Sequence, residues 1–145
     1  MSCRKSLFAI LNQSQKCYSD KSSCKDFGKS FSFRSKLKTY CTIKVDGCLI
    51  TSNSEQKCDY IIVECNSGIF HFIELKGNAI GTASAQIFNT ISWVITQFNS
   101  VGRVFNKNQI QIHIVCNLST KANQKKDEII EDFIKQYSEI GRAHV

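Results

Sequence analysis

The sequence predicts a mixed α/β domain in which a central sheet containing an antiparallel hairpin is flanked by helices. Two runs rich in Ile, Val, Phe and Tyr, Cys58–Glu64 and Ile69–Lys76, lie on either side of the turn residues Asn66 and Ser67. Between Ile80 and Phe98 the apolar period changes to that of a helix. A third β-prone run, Asn108–Asn117, follows that helix. Two strands that can pair directly, then a helix, then a strand, make up that order of elements.

Each element has a local reason. Residues 1–38 are polar and rich in Ser and Lys, and hold one short helix candidate at Ser6–Gln13. Asp26-Phe27-Gly28 marks a turn. Lys29–Lys38 interleaves Phe31 and Phe33 with basic residues, which suits a disordered arm or a helix with a solvated basic face. Thr39–Val45 alternates and is β-prone, Asp46-Gly47 is a turn signal, and Cys48–Ser52 is a candidate continuation of the strand. In the long helix Ile80, Ala83, Ile87, Ile91, Val94, Ile95 and Phe98 form one apolar stripe, with Gln86, Thr90, Trp93 and Gln97 along a neighbouring line. Asn123–Tyr137 reads as an amphipathic helix. This divides the chain into a basic N-terminal arm, 1–38, and a domain over 39–138.

The chain has 145 residues and a formal charge of +7, and no apolar run approaches the ~20 residues of a membrane span. The charge is uneven: residues 1–44 hold ten Lys/Arg against two Asp, a net of +8, and the remainder has a net of −1. A basic segment on a near-neutral body suits a polyanionic partner, nucleic acid first, or simply a solvated basic face. Lys29, Arg34, Lys36 and Lys38 are the candidate phosphate contacts. There are eight cysteines. The apolar stretch Leu7–Leu11 is shorter than a signal-peptide core. The expectation is therefore a cytoplasmic chain with reduced thiols, several of them small core residues. No two cysteines stand two to four apart, as zinc sites usually require.

Ile140–Val145 can be read as the translation of a widely used sequencing-library adapter. The natural sequence is accordingly expected to run to about Ser138 and to be cut there, and residues 140–145 carry no functional argument.

Chemistry concentrates in the hairpin. Pairing Cys58–Glu64 with Ile69–Lys76 around Asn66-Ser67 sets Glu64 against Ile69 and Asp59 against Glu74. Two carboxylates directly opposed, with Cβ atoms about 5 Å apart, repel. Lys76 shares Glu74's face and offsets part of that repulsion, as does a divalent cation bound by hard oxygen ligands. The bland alternative is a salt-bridged Asp59–Lys76–Glu74 cluster at a strand edge. His71 falls on the other face, among Ile69, Ile73 and Leu75, as a satisfied core or interface histidine and not a catalytic one. Trp93 belongs with the core.

Asp59, the run Phe72-Ile73-Glu74-Leu75-Lys76-Gly77 and the Gln86-bearing helix resemble the PD-(D/E)xK nuclease superfamily. The resemblance covers roughly residues 40–117. Val45-Asp46-Gly47-Cys48 and Cys58-Asp59-Tyr60 add a likeness to a group of uncharacterised bacterial proteins within it. The resemblance implies a restriction-endonuclease-like core and hydrolysis of nucleic-acid phosphodiesters with Mg2+ or Mn2+, in restriction, phage defence or repair. DNA is the favoured partner over RNA, no membrane is involved, and a homodimer is left open. Asp59, Glu74 and the Leu75 carbonyl would hold the metal, with Asp46 as a further candidate ligand beside its role as a turn-former. Lys76 would position the attacking water and stabilise charge on the phosphate, and Gln86 would orient the site. The chain departs from the pattern in having Cys58 before Asp59, no Glu before residue 45, and Thr90 where some members carry Tyr. Two other readings stand beside this one: a non-catalytic nucleic-acid-binding or interaction module with the same fold, and a zinc-stabilised protein using Cys41, Cys48, Cys58 and Cys65.

Overall fold

The computed structural model describes residues 3–26, 28–35, 37–52, 57–75, 80–115 and Lys135. Their elements are α1 (Arg4–Leu11), β1 (Tyr18–Ser19), β2 (Ser23–Asp26), β3 (Lys29–Ser32), β4 (Tyr40–Lys44), β5 (Tyr60–Glu64), β6 (Ile69–Glu74), α2 (Ile80–Ser100) and β7 (Ile110–Ile114). The architecture is mixed α/β. A five-stranded sheet has the order β1-β4-β5-β6-β7, and β2 and β3 form a separate two-stranded hairpin. Every neighbouring pair in the large sheet is antiparallel except β6 and β7, which run parallel across the α2 connection. The predicted helix over Asn123–Tyr137, apart from Lys135, and the adapter-like Ile140–Val145 lie outside the described residues.

The hairpin register is the one the turn residues predict, running from Tyr60↔Ile73 to Glu64↔Ile69. The turn closes with the Gly68 N–H donating to the Glu64 carbonyl at 2.8 Å, and Gly68 takes φ +75°, which a side chain disfavours. Asp46-Gly47 turns as expected, with Gly47 at φ +77°. The segment after it does not extend into a strand, because the chain folds back on itself: Ile50 N–H donates to the Val45 carbonyl and Gly47 N–H to that of Ile50.

The sheet has two covered faces. On one, Ile43, Ile61, Val63, Phe70 and Phe72 pack under α1 and α2. The α2 stripe buries Ala83, Ile87, Ile91, Val94 and Phe98, as its period requires, with Ile95 and Trp93 packed at the margin. On the other face Tyr40, Ile62, Ile73 and Leu75 are covered by Cys24, Phe31 and Phe33 of the β2–β3 segment.

Residues before 39 thus share a core with those after it. Leu7, Ile10 and Leu11 are buried, and Tyr18 and Ser19 pair with Ile43 and Thr42 of β4. Lys29–Ser32 is neither arm nor helix but a strand, since pairing with β2 lets Phe31 and Phe33 turn inward while the intervening residues face water.

The reduced-thiol expectation is corrected. Cys3 is bonded to Cys65 and Cys17 to Cys48, with Cα–Cα distances of 5.3 and 5.6 Å inside the disulfide range. Cys24, Cys41 and Cys58 are free and buried. The zinc tetrad falls with it, because Cys48 and Cys65 are spent on disulfides. Among the described residues no group of three or more His, Cys, Asp or Glu side chains is arranged to hold a metal ion. Among them, too, no helix is long and apolar enough to cross a membrane.

Candidate functional site

Regular pairing of the hairpin stops at Tyr60↔Ile73, one rung before the two carboxylates. Asp59 is a bend where three segments meet. Its N–H donates to the Ile73 carbonyl at 3.1 Å and its carbonyl accepts from Val45 N–H at 3.0 Å. Its carboxylate Oδ2 accepts from Leu75 N–H at 2.8 Å. The side chain replaces a main-chain acceptor, so the ladder is extended by a carboxylate. The direct Asp59–Glu74 opposition expected from an uninterrupted ladder is thereby modified, although both residues stay at the same end of the hairpin. Asp59 is 6% exposed and Glu74 0%.

Glu74 is the last residue of β6, and its carbonyl accepts Val115 N–H beyond β7. The Cys58 thiol registers both acids. Burial above all pushes its pKa far up, the Thr90 hydrogen bond works the other way, and the charges of Glu74 and Asp59 push it further up. Both acids thus lie within electrostatic reach of one sulfur.

Helix α2 is fastened to this point by Thr90. Its Oγ1 accepts the Cys58 N–H at 2.9 Å and donates to the Gln86 carbonyl at 2.8 Å, and the residue is 0% exposed. Gln86 therefore stands one turn before the helix position that touches the strand carrying Asp59. Leu75 is wholly buried, and its side chain belongs to the cluster on the far face. Asp46 sits in the turn after β4, half exposed, in an ion pair with the buried Lys57 at 3.7 Å. Lys57 also donates to the Ser52 carbonyl. Lys76 lies outside the described residues.

The basic candidates divide. Lys29 ends the β2–β3 turn opposite Asp26, and Arg34 is exposed just beyond β3. Lys36 lies outside the described residues. Lys38 is engaged in an ion pair while its side chain stays half exposed, with Nζ 2.9 Å from Glu64 Oε1.

That ion pair begins a polar chain the sequence reading missed. Glu64 Oε2 lies 2.7 Å from His71 Nε2, and His71 Nδ1 lies 2.8 Å from His113 Nε2. Burial holds the His71 pKa below its ordinary value, with Glu64 offsetting only part of the effect. His71 is therefore neutral near pH 7: its Nε2–H donates to Glu64, and its Nδ1 accepts from His113 Nε2–H. Burial would raise the Glu64 carboxyl, but the hydrogen bonds from His71 and Lys38 outweigh it and hold the pKa below the ordinary value. Phe33 closes over the chain, its ring centre 4.5 Å from that of His71 and 5.0 Å from that of Tyr40. His71 is thus the satisfied core histidine expected of its strand face.

Different signals bear on these residues. The hairpin arithmetic already sets Glu64 two rungs from Ile62, His71's partner, and so on the same face. His113 enters only through the parallel register that pairs it with Ile73. Thr90 is legible as the residue four after Gln86, but its partner is not. Comparison with protein-family models, with curated proteins and with solved structures finds no match for this chain.

Proposed function

We propose that the chain is a metal-dependent nuclease domain of the restriction-endonuclease-like type, hydrolysing nucleic-acid phosphodiesters with Mg2+ or Mn2+. The observation that carries the reading is the gathering of two buried carboxylates, Asp59 and Glu74, at one end of the β5–β6 hairpin, beside the helix that bears Gln86. Charged groups are seldom buried unless they are paired or bind a cation. Hard carboxylate oxygens are the donors that Mg2+ takes, so the residues present fit the ion. They supply two side-chain ligands, and the Leu75 carbonyl and water would complete the shell.

In this reading Asp59 and Glu74 hold the cation, and the Leu75 N–H bond fixes the Asp59 carboxylate against rotation. When bound, the cation supplies Lewis-acid polarisation of a phosphoryl oxygen, the stabilisation a slow phosphodiester hydrolysis needs. Lys76 directs the attacking water and meets charge developing on the phosphate. Gln86 orients the site from α2. Lys29 and Arg34 hold the nucleic-acid backbone electrostatically. DNA is the favoured substrate.

The test uses the full chain with linear and plasmid DNA in Mg2+ or Mn2+, alongside Glu74→Gln, Asp59→Asn and Lys76→Ala. Metal-dependent cleavage that each substitution abolishes is the expected result. Cleavage that persists in Glu74→Gln and Lys76→Ala together rejects the assignment.

A second reading has its own observation. The Asp59 carboxylate already accepts a main-chain hydrogen bond, as a structural residue would. A non-catalytic nucleic-acid-binding module would use that bond for the fold alone and show salt-sensitive binding without cleavage or metal uptake.

A further inference from the structure

The two disulfides share a feature that neither composition nor the catalytic reading accounts for. Each joins the first segment of the chain to a turn in the body: Cys3 to Cys65, and Cys17 to Cys48. Cys65 opens the turn between β5 and β6, and Cys48 lies within the Val45–Ile50 turn. The Val45–Ile50 turn adjoins a candidate carboxylate, since Val45 N–H donates to the Asp59 carbonyl, whereas the Cys65 turn closes the β5–β6 hairpin at the end opposite Asp59 and Glu74.

Apart from the disulfides the segment is held modestly. Strand β1 pairs through two residues only. Helix α1 has 8 residues, short of the roughly 12–15 that sustain an isolated helix. Leu7, Ile10 and Leu11 of the helix and Cys17 and Tyr18 after it are buried, with Phe8 packed beside them. The Arg4–Asp20 ion pair is stretched to 3.9 Å and exposed on both sides. Below the segment lies a cavity of about 250 Å3, walled by Leu7, Ile10, Phe70, Phe98 and the Cys3–Cys65 bond itself. The pocket is half open to solvent, so the Cys3–Cys65 bond adds to the apolar contacts on its edge.

We propose that residues 3–19 form a redox-held strap, fastened across the sheet edge and the hairpin turn in the oxidised protein and released from them on reduction. This proposal stands apart from the catalytic reading.

Fastening is thiol–disulfide exchange. The thiolate of one cysteine of a pair attacks a small-molecule disulfide such as oxidised glutathione, whose S–S bond breaks and releases one small thiol as its thiolate. The second cysteine, as thiolate, attacks the mixed disulfide, the Cys–Cys bond forms, and the second small thiolate leaves. Two protons and two electrons leave the protein thiols, and both electrons reduce the small disulfide to two thiols. A small dithiol reverses the reaction.

The pattern of cysteines fits such exchange. Cys3, Cys65 and Cys48 are partly exposed, within reach of a small thiol. Among the described residues the free cysteines are buried, and burial first, then the charges of Asp59 and Asp20 respectively, pushes Cys24 up to about 12 and Cys41 to about 11. So few thiolates form there that these cysteines do not divert the exchange.

The experiment takes the full chain equilibrated in a glutathione redox buffer, alkylated under acid quench and mapped as peptides. Linked peptides Cys3–Cys65 and Cys17–Cys48 are expected. Limited trypsinolysis is then followed with and without dithiothreitol. Cleavage after Lys5 and Lys16 should accelerate on the order of tenfold or more on reduction, while cleavage within β5 and β6 stays slow. A Cys3→Ser/Cys65→Ser chain should begin partly released and respond less to the reductant. Absence of the linked peptides overturns the proposal. So do linked peptides with the same cleavage rate in both redox states. None of these readouts requires metal or DNA, so failure of the nuclease reading leaves them intact.

Discussion

The carboxylate of Asp59 accepts the main-chain N–H of Leu75 at 2.8 Å, doing at the end of the hairpin what a carbonyl does inside it. The bond ties a charged group to the backbone of the adjoining strand. It therefore separates two contributions of the residue that substitution can distinguish.

Asp59→Asn keeps an oxygen acceptor of the same size, and Asp59→Ala leaves the buried Leu75 N–H unsatisfied. The alanine variant should lose about 1–3 kcal/mol of stability in urea denaturation. The asparagine variant should lose much less, yet lose Mg2+-dependent cleavage. Equal stability for the two would show that the Leu75 bond contributes nothing.

Thr90→Val is nearly isosteric, but it strands the Cys58 N–H that Thr90 now accepts at 2.9 Å. A loss of about 1–3 kcal/mol is expected in the same assay, with Thr90→Ser recovering most of it. Serine behaving like valine would place the effect in packing and not in the hydroxyl.

Acid should weaken the fold in two stages. The folded pKa of His71 lies below its ordinary 6.5, so the unfolded chain takes up the proton first and stability falls as pH drops below about 6.5. The folded pKa of Glu64 lies below its ordinary 4.5, so its contribution is present above that value and fades as pH falls through the folded pKa. Thermal melts from pH 8 to pH 3 should show a decline beginning near neutrality. In His71→Phe the first stage should vanish, at the cost of a less stable protein at pH 7. A wild-type melting temperature flat from pH 7 to pH 5 contradicts the assignment.

The basic residues should separate by role. Arg34→Glu and Lys29→Glu act at the surface, and should weaken DNA binding and flatten its salt dependence with stability near unchanged. Lys38→Met removes the ammonium that sits 2.9 Å from Glu64, so its main effect should be on stability. Filter-binding titrations over a salt series, run beside melts, compare the two. The proposal for the basic surface fails if Lys29 and Arg34 variants bind as the wild type does.

Gly68→Ala tests the turn. The backbone there has φ +75°, and the added methyl would meet Gln109 at 3.5 Å, an ordinary contact. The cost should come from conformation alone, about 1–2 kcal/mol, with Gly68→Asn losing less. A larger loss on calorimetry would point to crowding instead.

How far the fold was legible depends on the range of the interaction concerned. The β5–β6 register followed from two turn residues and alternation, because a short hairpin leaves its strands one pairing. The buried stripe of α2 followed from its period, because a helix can bury only one face. The Lys29–Ser32 strand was hidden, because its partner is the equally polar Ser23–Asp26 and its Phe31 packs on Phe33 and on His113, a residue distant in sequence. The disulfides were hidden for a similar reason: eight cysteines without close spacing admit many pairings, and only the docking of α1 and β1 brings two particular pairs within reach.

For the candidate site the division is similar. Asp59 and Glu74 could be placed at one end of one hairpin from the sequence, since local register sets that neighbourhood. That Asp59 bends out of the ladder to bind Leu75, that Thr90 fastens α2 beside it, and that Glu64 is paired with Lys38 and hydrogen-bonded to His71, which in turn meets His113, were decided by tertiary structure. Each depends on hydrogen-bonding groups brought together by strands and helices distant in sequence, and a buried polar group takes whichever partner the completed fold brings within about 3 Å.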